Sequence, residues 1–439
     1  MKYELMFFAV ASVAVASVVG GCGLLSASVA ATGAERRISV ADYRDRMEAA
    51  WIGQVAGVAW GAPTEFKFNW KIIPADAKCL PKAWRPEMIN GAFDQDDLYV
   101  EMTFIDTLDR RGWDVTSRAA GIDFANSAYA LWHANFVGRD NLRRGIAPPD
   151  SSHPAFNKCA NCIDSQIEAD YSGILMPGYP QGAVILGEKF GRLMNYGDGL
   201  HAGQFVGAMY AEAYFERDRV KIVENALKAI PSESRYAEMV RDMLGWYREV
   251  PNDWEKAWHL LVGKYGHEKS RCSKGEIDCT LNGGAVLLGL LWGEGDPDRT
   301  ILISTRSGFD SDCNPSSAAG ILFCSLGKSR LPNRFYEKMD MTKKFSHTLY
   351  NFPGLFAVCE KVTREAIVHE GGRIEKDADG MEWLVIPQKS LCPTPYRSWL
   401  NPAPQAGSRY TTAETSRIKF ARDCSWGTSC TMKPQGLAK

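Results

Sequence analysis

An excess charge of either sign is what this chain most conspicuously lacks. Its 439 residues carry 51 Lys and Arg against 52 Asp and Glu, a formal net charge of −1. Such a chain has no electrostatic footprint for a nucleic-acid partner, and none is expected. Long hydrophobic spans are missing too, since the N-terminal run from Met6 to Val19 is short for a membrane crossing. No cysteine pair has a matching Cys-x-x-Cys partner or a clustered His, which argues against a zinc site. The 7 histidines are scattered. His133, His153, His259, His267, His347 and His369 carry no ligand spacing, and His201 reads as a helix-end residue rather than a ligand. Ser307, Ser311, Ser316 and Ser317 show no nucleophile elbow, so serine hydrolysis is disfavoured. No sustained internal repeat is present.

Two short acidic clusters stand out in what remains. The first is Asp94-Gln95-Asp96-Asp97, and the second is Gly308-Phe309-Asp310-Ser311-Asp312-Cys313-Asn314-Pro315. Each sits beside an apolar stretch that reads as a buried helix. Carboxylates there repel one another and lose hydration, so they need compensation. Hard divalent cations, which prefer oxygen ligands, supply it best. Taken singly, Asp96-Asp97 also suits a solvated helix start. Asp310-x-Asp312 also suits a loop, although it lacks the EF-hand spacing and its terminal Glu.

The N-terminal apolar run ends in Val19-Gly20-Gly21-Cys22, similar to the lipobox of bacterial lipoproteins, in which the cysteine is acylated. The alternative is an ordinary secretory signal cut after Ala30 or Ala34. Either way export is expected, to the periplasm or to the outer membrane as a lipoprotein, with the lipid as the only membrane contact. Residues 1–37 are then leader and linker. In an oxidising compartment the pairs Cys159/Cys162, Cys272/Cys279 and Cys424/Cys430 read as loop-stapling disulfides. Cys324, in an apolar run, reads as a buried thiol.

Helical patterns are predicted over Val40–Trp60, ending at Gly61-Ala62-Pro63, and over Leu98–Leu108, Gly203–Glu216, Val220–Ile230, Tyr236–Val250 and Trp254–Tyr265. Gly284–Trp292 has no charged residue and reads as a fully buried helix. Asn314 suits the N-cap and Pro315 the first turn of a helix running through Ser316–Leu326. These patterns give an all-α core over residues 38–350. The segment 138–170 reads as loops lying over the core. Residues 351–439 read as a small C-terminal α+β appendage, with Met381–Ile386 as a strand and a Pro/Ser/Gly-rich tail from about residue 400.

Three blocks in this order resemble the ADP-ribosylglycohydrolase family, across roughly residues 43–330. Gly57-Val58-Ala59-Trp60-Gly61-Ala62-Pro63-Thr64-Glu65 is similar to that family's Gly-Asp-Ala-x-Gly-x-Pro-x-Glu. Asp96-Asp97 stands where the family has Thr-Asp-Asp-Thr, and Gly308 to Asn314 where it has Gly-Gly-Asp-Thr-Asp-Thr-Asn. The resemblance implies an orthogonal multi-helix bundle with two divalent cations, Mg2+ or Mn2+, at its centre. It implies Gln95, Asp96, Asp97, Asp310, Asp312 and Cys313 as ligands, with Gln95 and Cys313 replacing ligand threonines. A thiol is a poor partner for Mg2+, so the Cys313 position is the weaker of the two. Val58 replaces an Asp and Phe309 a glycine. The segment Asn195 to His201 loosely matches a threonine-histidine region, which brings Asp198 and Gly199 in as substrate-binding candidates beside Gly308 and Asn314.

Hydrolysis at an anomeric carbon passes through an oxocarbenium-like state that carboxylates assist. Glu65, Asp96 and Asp310 are the catalytic candidates, with Glu65 as general acid/base or water-positioning group. Gly308 and the helix start at Pro315 suit a phosphate, because backbone N–H groups there are unpaired. The expected activity is cleavage of a ribosyl, ADP-ribose-like bond in a small-molecule substrate. Two alternatives stay open: a hydrolase of another glycoside or nucleoside, and a catalytically inactive lipid-anchored binding protein.

Overall fold

The first long helix, Val40–Gly61, is capped by the Ser39 hydroxyl, which accepts from the Asp42 N–H. It runs against the helix Cys313–Leu326, and glycine makes the approach possible. Gly53, Gly57 and Gly61 recur every four residues on one helix face. A Cβ at any of the three would collide with the backbone of Ala319, Pro315 or Ser311 respectively. The two backbones therefore meet directly, and the end of the first helix lies against the second acidic cluster. Both belong to a computed structural model describing residues 35–272 and 275–430. Cys22, the lipobox and the leader fall outside those residues.

Among the described residues sixteen α-helices accompany one small sheet, in keeping with the expected all-α core. The helix Cys279–Trp292 is buried at every position, as its lack of charge predicts. It begins five residues before the expected Gly284, because Asp278 accepts from the Thr280 N–H and caps it. The helix Cys313–Leu326 is capped by Asp312 rather than by Asn314. The helix expected from Gly203 starts at Asp198. None of the described helices is long and apolar enough to cross a membrane.

The sheet has the order β1-β3-β2 and is antiparallel throughout, with β1 Glu35–Ser39, β2 Arg373–Lys376 and β3 Glu382–Pro387. Arg37 pairs with Val385, so residues 35–37, expected in the linker, are strand residues. The helix Phe352–His369 precedes the β2–β3 hairpin and buries Leu355, Val358, Cys359 and Val362.

Two loop expectations change. The segment 138–170 is not a cover: most of it is buried, and it contains the end of the helix His133–Arg143 and the short helix Asp164–Ile167. Buried asparagine amides tie it to its surroundings through backbone carbonyls. Asn157 donates to the Ala134 and Met194 carbonyls, and Asn195 donates to those of Ala160 and Cys162. The tail beyond residue 400 is tied down. Asp150 accepts from the Ala406 and Ser408 N–H groups, and Arg118 pairs with Glu414. Cys424–Cys430 is bonded as expected, but Cys162 bonds Cys272, 110 residues away, and Cys279 stays a buried thiol. Nearness in sequence suggested Cys159/Cys162 and Cys272/Cys279. The fold instead brings Cys162 and Cys272 to a Cα separation of 5.3 Å. Cys324 is a buried thiol, as predicted.

Candidate metal centre and active site

Asp96 and Asp97 open the helix Asp96–Arg111, and Gln95 is its N-cap residue. Their carboxylates sit where unpaired N–H groups and the helix dipole favour negative charge. Asp310 and Asp312 come from the turn before Cys313–Leu326. That turn is held from three sides. Asn282, on the buried helix, accepts from the Asp310 N–H and the Asn314 amide. Trp258 donates to the Ser307 carbonyl. The Thr64 hydroxyl donates to the Gly61 carbonyl and shares a 2.7 Å hydrogen bond with Ser311.

Folding brings the two acidic clusters together. Ligand atoms of Asp97, Asp312 and Cys313 lie within 4.8 Å of one another, and so do those of Glu65, Asp310 and Asp312. Two three-residue groups thus share Asp312. Both carboxylate oxygens of Asp97 and one of Asp310 are buried with no hydrogen-bond partner. Unpartnered buried carboxylates are strongly unfavourable alone and are what a hard cation would compensate. The donor set therefore fits divalent metal. Burial, then the neighbouring carboxylates, pushes Asp97 and Asp312 well above the ordinary Asp range. Burial first, then Asp312 and Asp96, raises Glu65 to about 8. Cys313 is a free thiol on the cavity wall, and burial beside Asp310 and Asp97 keeps it protonated.

A third cluster, Asp423 with Cys424 and Cys430, is no metal site. Its cysteines are bonded to each other, and Asp423 pairs with Arg139 and Arg143.

The acidic groups open into a cavity of about 440 Å³ lined by Glu65, Gln95, Asp96, Asp310 and Cys313. Asp96 faces it without belonging to either three-residue group. The four substrate-binding candidates do not line it. Gly308 has φ +75° and packs against the Phe68 and Lys71 carbonyls, where a Cβ has no room. Asn314 bonds Asn282. Asp198 accepts from the Tyr236 N–H and pairs with Arg271. Gly199 is pressed against the Ala160 carbonyl and the Asn195 amide. All four pack against neighbouring backbone or side chains, and loop and helix-start signals look alike whether they face a cavity or a neighbouring helix. His201 sits in the first turn of Asp198–Ala213, and burial lowers it to about 3, so it is a neutral core histidine.

The profile of the ADP-ribosylglycohydrolase family matches residues 39–365. The chain belongs to the ADP-ribosylglycohydrolase family. No curated protein matches it. One solved structure, described as an ADP-ribosylglycohydrolase-related protein complex, aligns with 74% of this chain and 100% of that chain at 13% identity and TM-score 0.48, a likeness too slight to argue from. The ADP-ribosylglycohydrolase match covers Glu65 and both acidic clusters. It supports a glycohydrolase on this scaffold. Phe309 has φ +61°, a conformation natural to glycine, and its ring is held between Trp258 at 6.3 Å and Trp70 at 5.3 Å.

Several cavity residues carried no sequence signal strong enough to find them. Asp164 lines the wall. One of its oxygens accepts from the Asn135 N–H, the other has no partner, and burial raises its carboxyl to about 7. The run Asp164, Glu168, Asp170 was visible as acids among small and apolar residues, but the segment reads as loop. Tyr99, Trp132, Asn135 and Trp426 also line the wall.

Proposed function

We propose that the protein is a divalent-metal-dependent glycohydrolase that cleaves a ribosyl-type bond. The observation that carries this is the pair of carboxylate groups sharing Asp312 beside Glu65 on one cavity. Asp97, Asp310, Asp312 and Cys313, with Gln95 and Asp96 adjacent, would hold the cations. Bound cations would offset the buried negative charge and orient sugar hydroxyls. The chain's own groups do the rest. Glu65 ends the turn after Pro63 and is the most exposed of the set, and in the metal-free protein burial and the neighbouring carboxylates raise it to about 8. Its place at the cavity wall suits it to give a proton to the leaving atom as the glycosidic bond breaks. The carboxylates stabilise the positive charge that develops at the anomeric carbon, and a water that adds there, losing its proton to the Glu65 carboxylate, completes the hydrolysis.

The test is metal analysis of purified protein, then glycoside release with and without Mg2+ and Mn2+. Metal-dependent release, lost in Glu65→Gln, is expected. Bound metal without turnover on any glycoside would point to a binding protein, a reading that Gln95 and Cys313 favour.

The export proposal stands beside it. Two disulfides support an oxidising destination, and the lipobox at Cys22 supports lipid anchoring. Cys22→Ser should release the protein from the membrane to the soluble periplasmic fraction. An unmodified N-terminus at Ala31 or Glu35 would rule the anchor out.

A further inference from the structure

The two three-residue groups of the acidic centre are chemically unlike. Glu65, Asp310 and Asp312 offer oxygen alone, whereas Asp97, Asp312 and Cys313 offer two carboxylates and a sulfur. A buried cysteine is by default a small apolar filler. Cys324, further along the same helix, fits that description: it is buried, and its sulfur faces the Tyr210 carbonyl at 3.9 Å. Cys313 does not. It lines the acidic cavity, forms no disulfide and sets its sulfur within 4.8 Å of carboxylate oxygens from Asp97 and Asp312.

The fold prepares that sulfur to ligate. Asp312 caps the helix Cys313–Leu326 and accepts from the Cys313 N–H at 3.0 Å, so the two side chains leave adjacent positions of one turn. The first helix braces the same turn, with Gly61 pressed against the Ser311 carbonyl and the Asp312 backbone. Asp97 arrives from another helix, only 1% exposed, with both carboxylate oxygens unpartnered. Its capacity to bind a cation is therefore unspent. Cys313 is also the first residue of its helix, the end at which the helix dipole favours negative charge on a metal-bound thiolate.

This donor set suits a different cation from its neighbour. Mg2+ and Mn2+ prefer oxygen throughout. Zn2+ and other borderline cations take a thiolate readily and accept carboxylate oxygens beside it. The sulfur needs no second cysteine, because the remaining ligands are carboxylates. Three protein ligands with a position left open to the cavity is also the arrangement of a reactive zinc centre rather than of a closed structural one.

We propose that the centre holds two unlike cations: a borderline divalent cation of the Zn2+ class on Asp97, Asp312 and the Cys313 thiolate, and Mg2+ or Mn2+ on Glu65, Asp310 and Asp312. This rests on the metal-dependent glycohydrolase reading and changes the identity of one of its cations. Binding replaces the S–H bond of Cys313 by a sulfur–metal bond and releases one proton to solvent.

The experiment is a Co2+ titration of the chelator-stripped full chain, with Co2+ as a coloured stand-in for Zn2+. A thiolate-to-cobalt charge-transfer band should grow in the near ultraviolet. Zn2+ should bleach it, whereas a large excess of Mg2+ should leave it in place. Cys313→Thr and Cys313→Ser should lack the band. Zn2+ affinity measured by calorimetry should fall at least about tenfold in both, the loss that disturbing even a supporting partner of a metal ligand brings. Circular dichroism checks that each variant folds. Zinc-edge X-ray absorption of the parent protein reads the same contact without any variant, as a sulfur neighbour at about 2.3 Å. Co2+ binding without the band, a band that survives in both variants, or a zinc shell without sulfur would overturn the proposal. Calorimetry of the parent with Mg2+ and Mn2+ separates the failures. Absence of binding by every one of these cations sinks the glycohydrolase reading as well, whereas Mg2+ or Mn2+ binding without a sulfur contact to Co2+ or Zn2+ sinks only the thiolate site.

Discussion

Cys313 departs most from the oxygen chemistry of its neighbours. Its sulfur lies within 4.8 Å of carboxylate oxygens from Asp97 and Asp312. Burial and the surrounding carboxylates hold the thiol well above its ordinary range, so it offers a hard cation little. Cys313→Thr supplies a hydroxyl oxygen of similar size. Mg2+ affinity measured by calorimetry should rise, by roughly tenfold or about 1.4 kcal/mol. Unchanged or weaker affinity would place Cys313 outside the ligand set. Single residues such as Asp96, Asp97, Asp310 and Asp312 were legible because buried carboxylates in close spacing are chemically improbable without a partner. Asp164 was not, because the acids Asp164, Glu168 and Asp170 lie in a segment that reads as loop.

The glycine ridge is the element on which the site depends. Gly53, Gly57 and Gly61 let the first helix touch the backbone that carries Asp310 and Asp312. Gly57→Ala inserts a methyl against the Pro315 carbonyl and the Ser316 nitrogen, both backbone atoms that cannot rotate away. Overpacking of this kind costs about 1–3 kcal/mol or more. The thermal midpoint should fall and metal affinity should fall with it, because the helix contact and the Asp310 turn move together. A stable variant with intact metal binding would show that the two helices slide without disturbing the turn.

The tail anchor makes a second test at this scale. Asp423→Ala leaves Arg139 and Arg143 buried without their carboxylate. Breaking a buried pair costs about 3–5 kcal/mol. The tail should become cleavable by protease near residue 423 while the helical core remains resistant. Uniform resistance would show that the disulfide and backbone bonds hold the loop alone.

For the molecule as a whole, buried carboxylates dominate the response to pH. Burial, and then Asp170, pushes Glu101 well up, and burial raises Asp170 to about 8. Carboxyls with raised values stabilise the fold fully below the ordinary carboxylate range, and that stability is lost as pH rises through about 8. The metal-free protein should therefore show a falling thermal midpoint from about pH 4 to about pH 8, and Glu101→Gln should flatten the slope. Mg2+ or Mn2+ should restore the midpoint more at high pH than at low pH, because binding displaces protons from the ligands. A metal effect independent of pH would mean that the acidic groups are already ionised without cations.

By itself the sequence determined the helical texture, the two acidic clusters and the family. These are local properties: periodicity, turn chemistry and short motifs act over a few residues and survive in the linear text. Only the tertiary structure decided that Cys162 meets Cys272, that Asp198 and Asn314 lie outside the cavity lining, and that the tail returns to set Trp426 in the wall of the acidic cavity. Those outcomes depend on which distant segments pack together, and nothing in the spacing of a cysteine or a tryptophan along the chain records its partner across the fold.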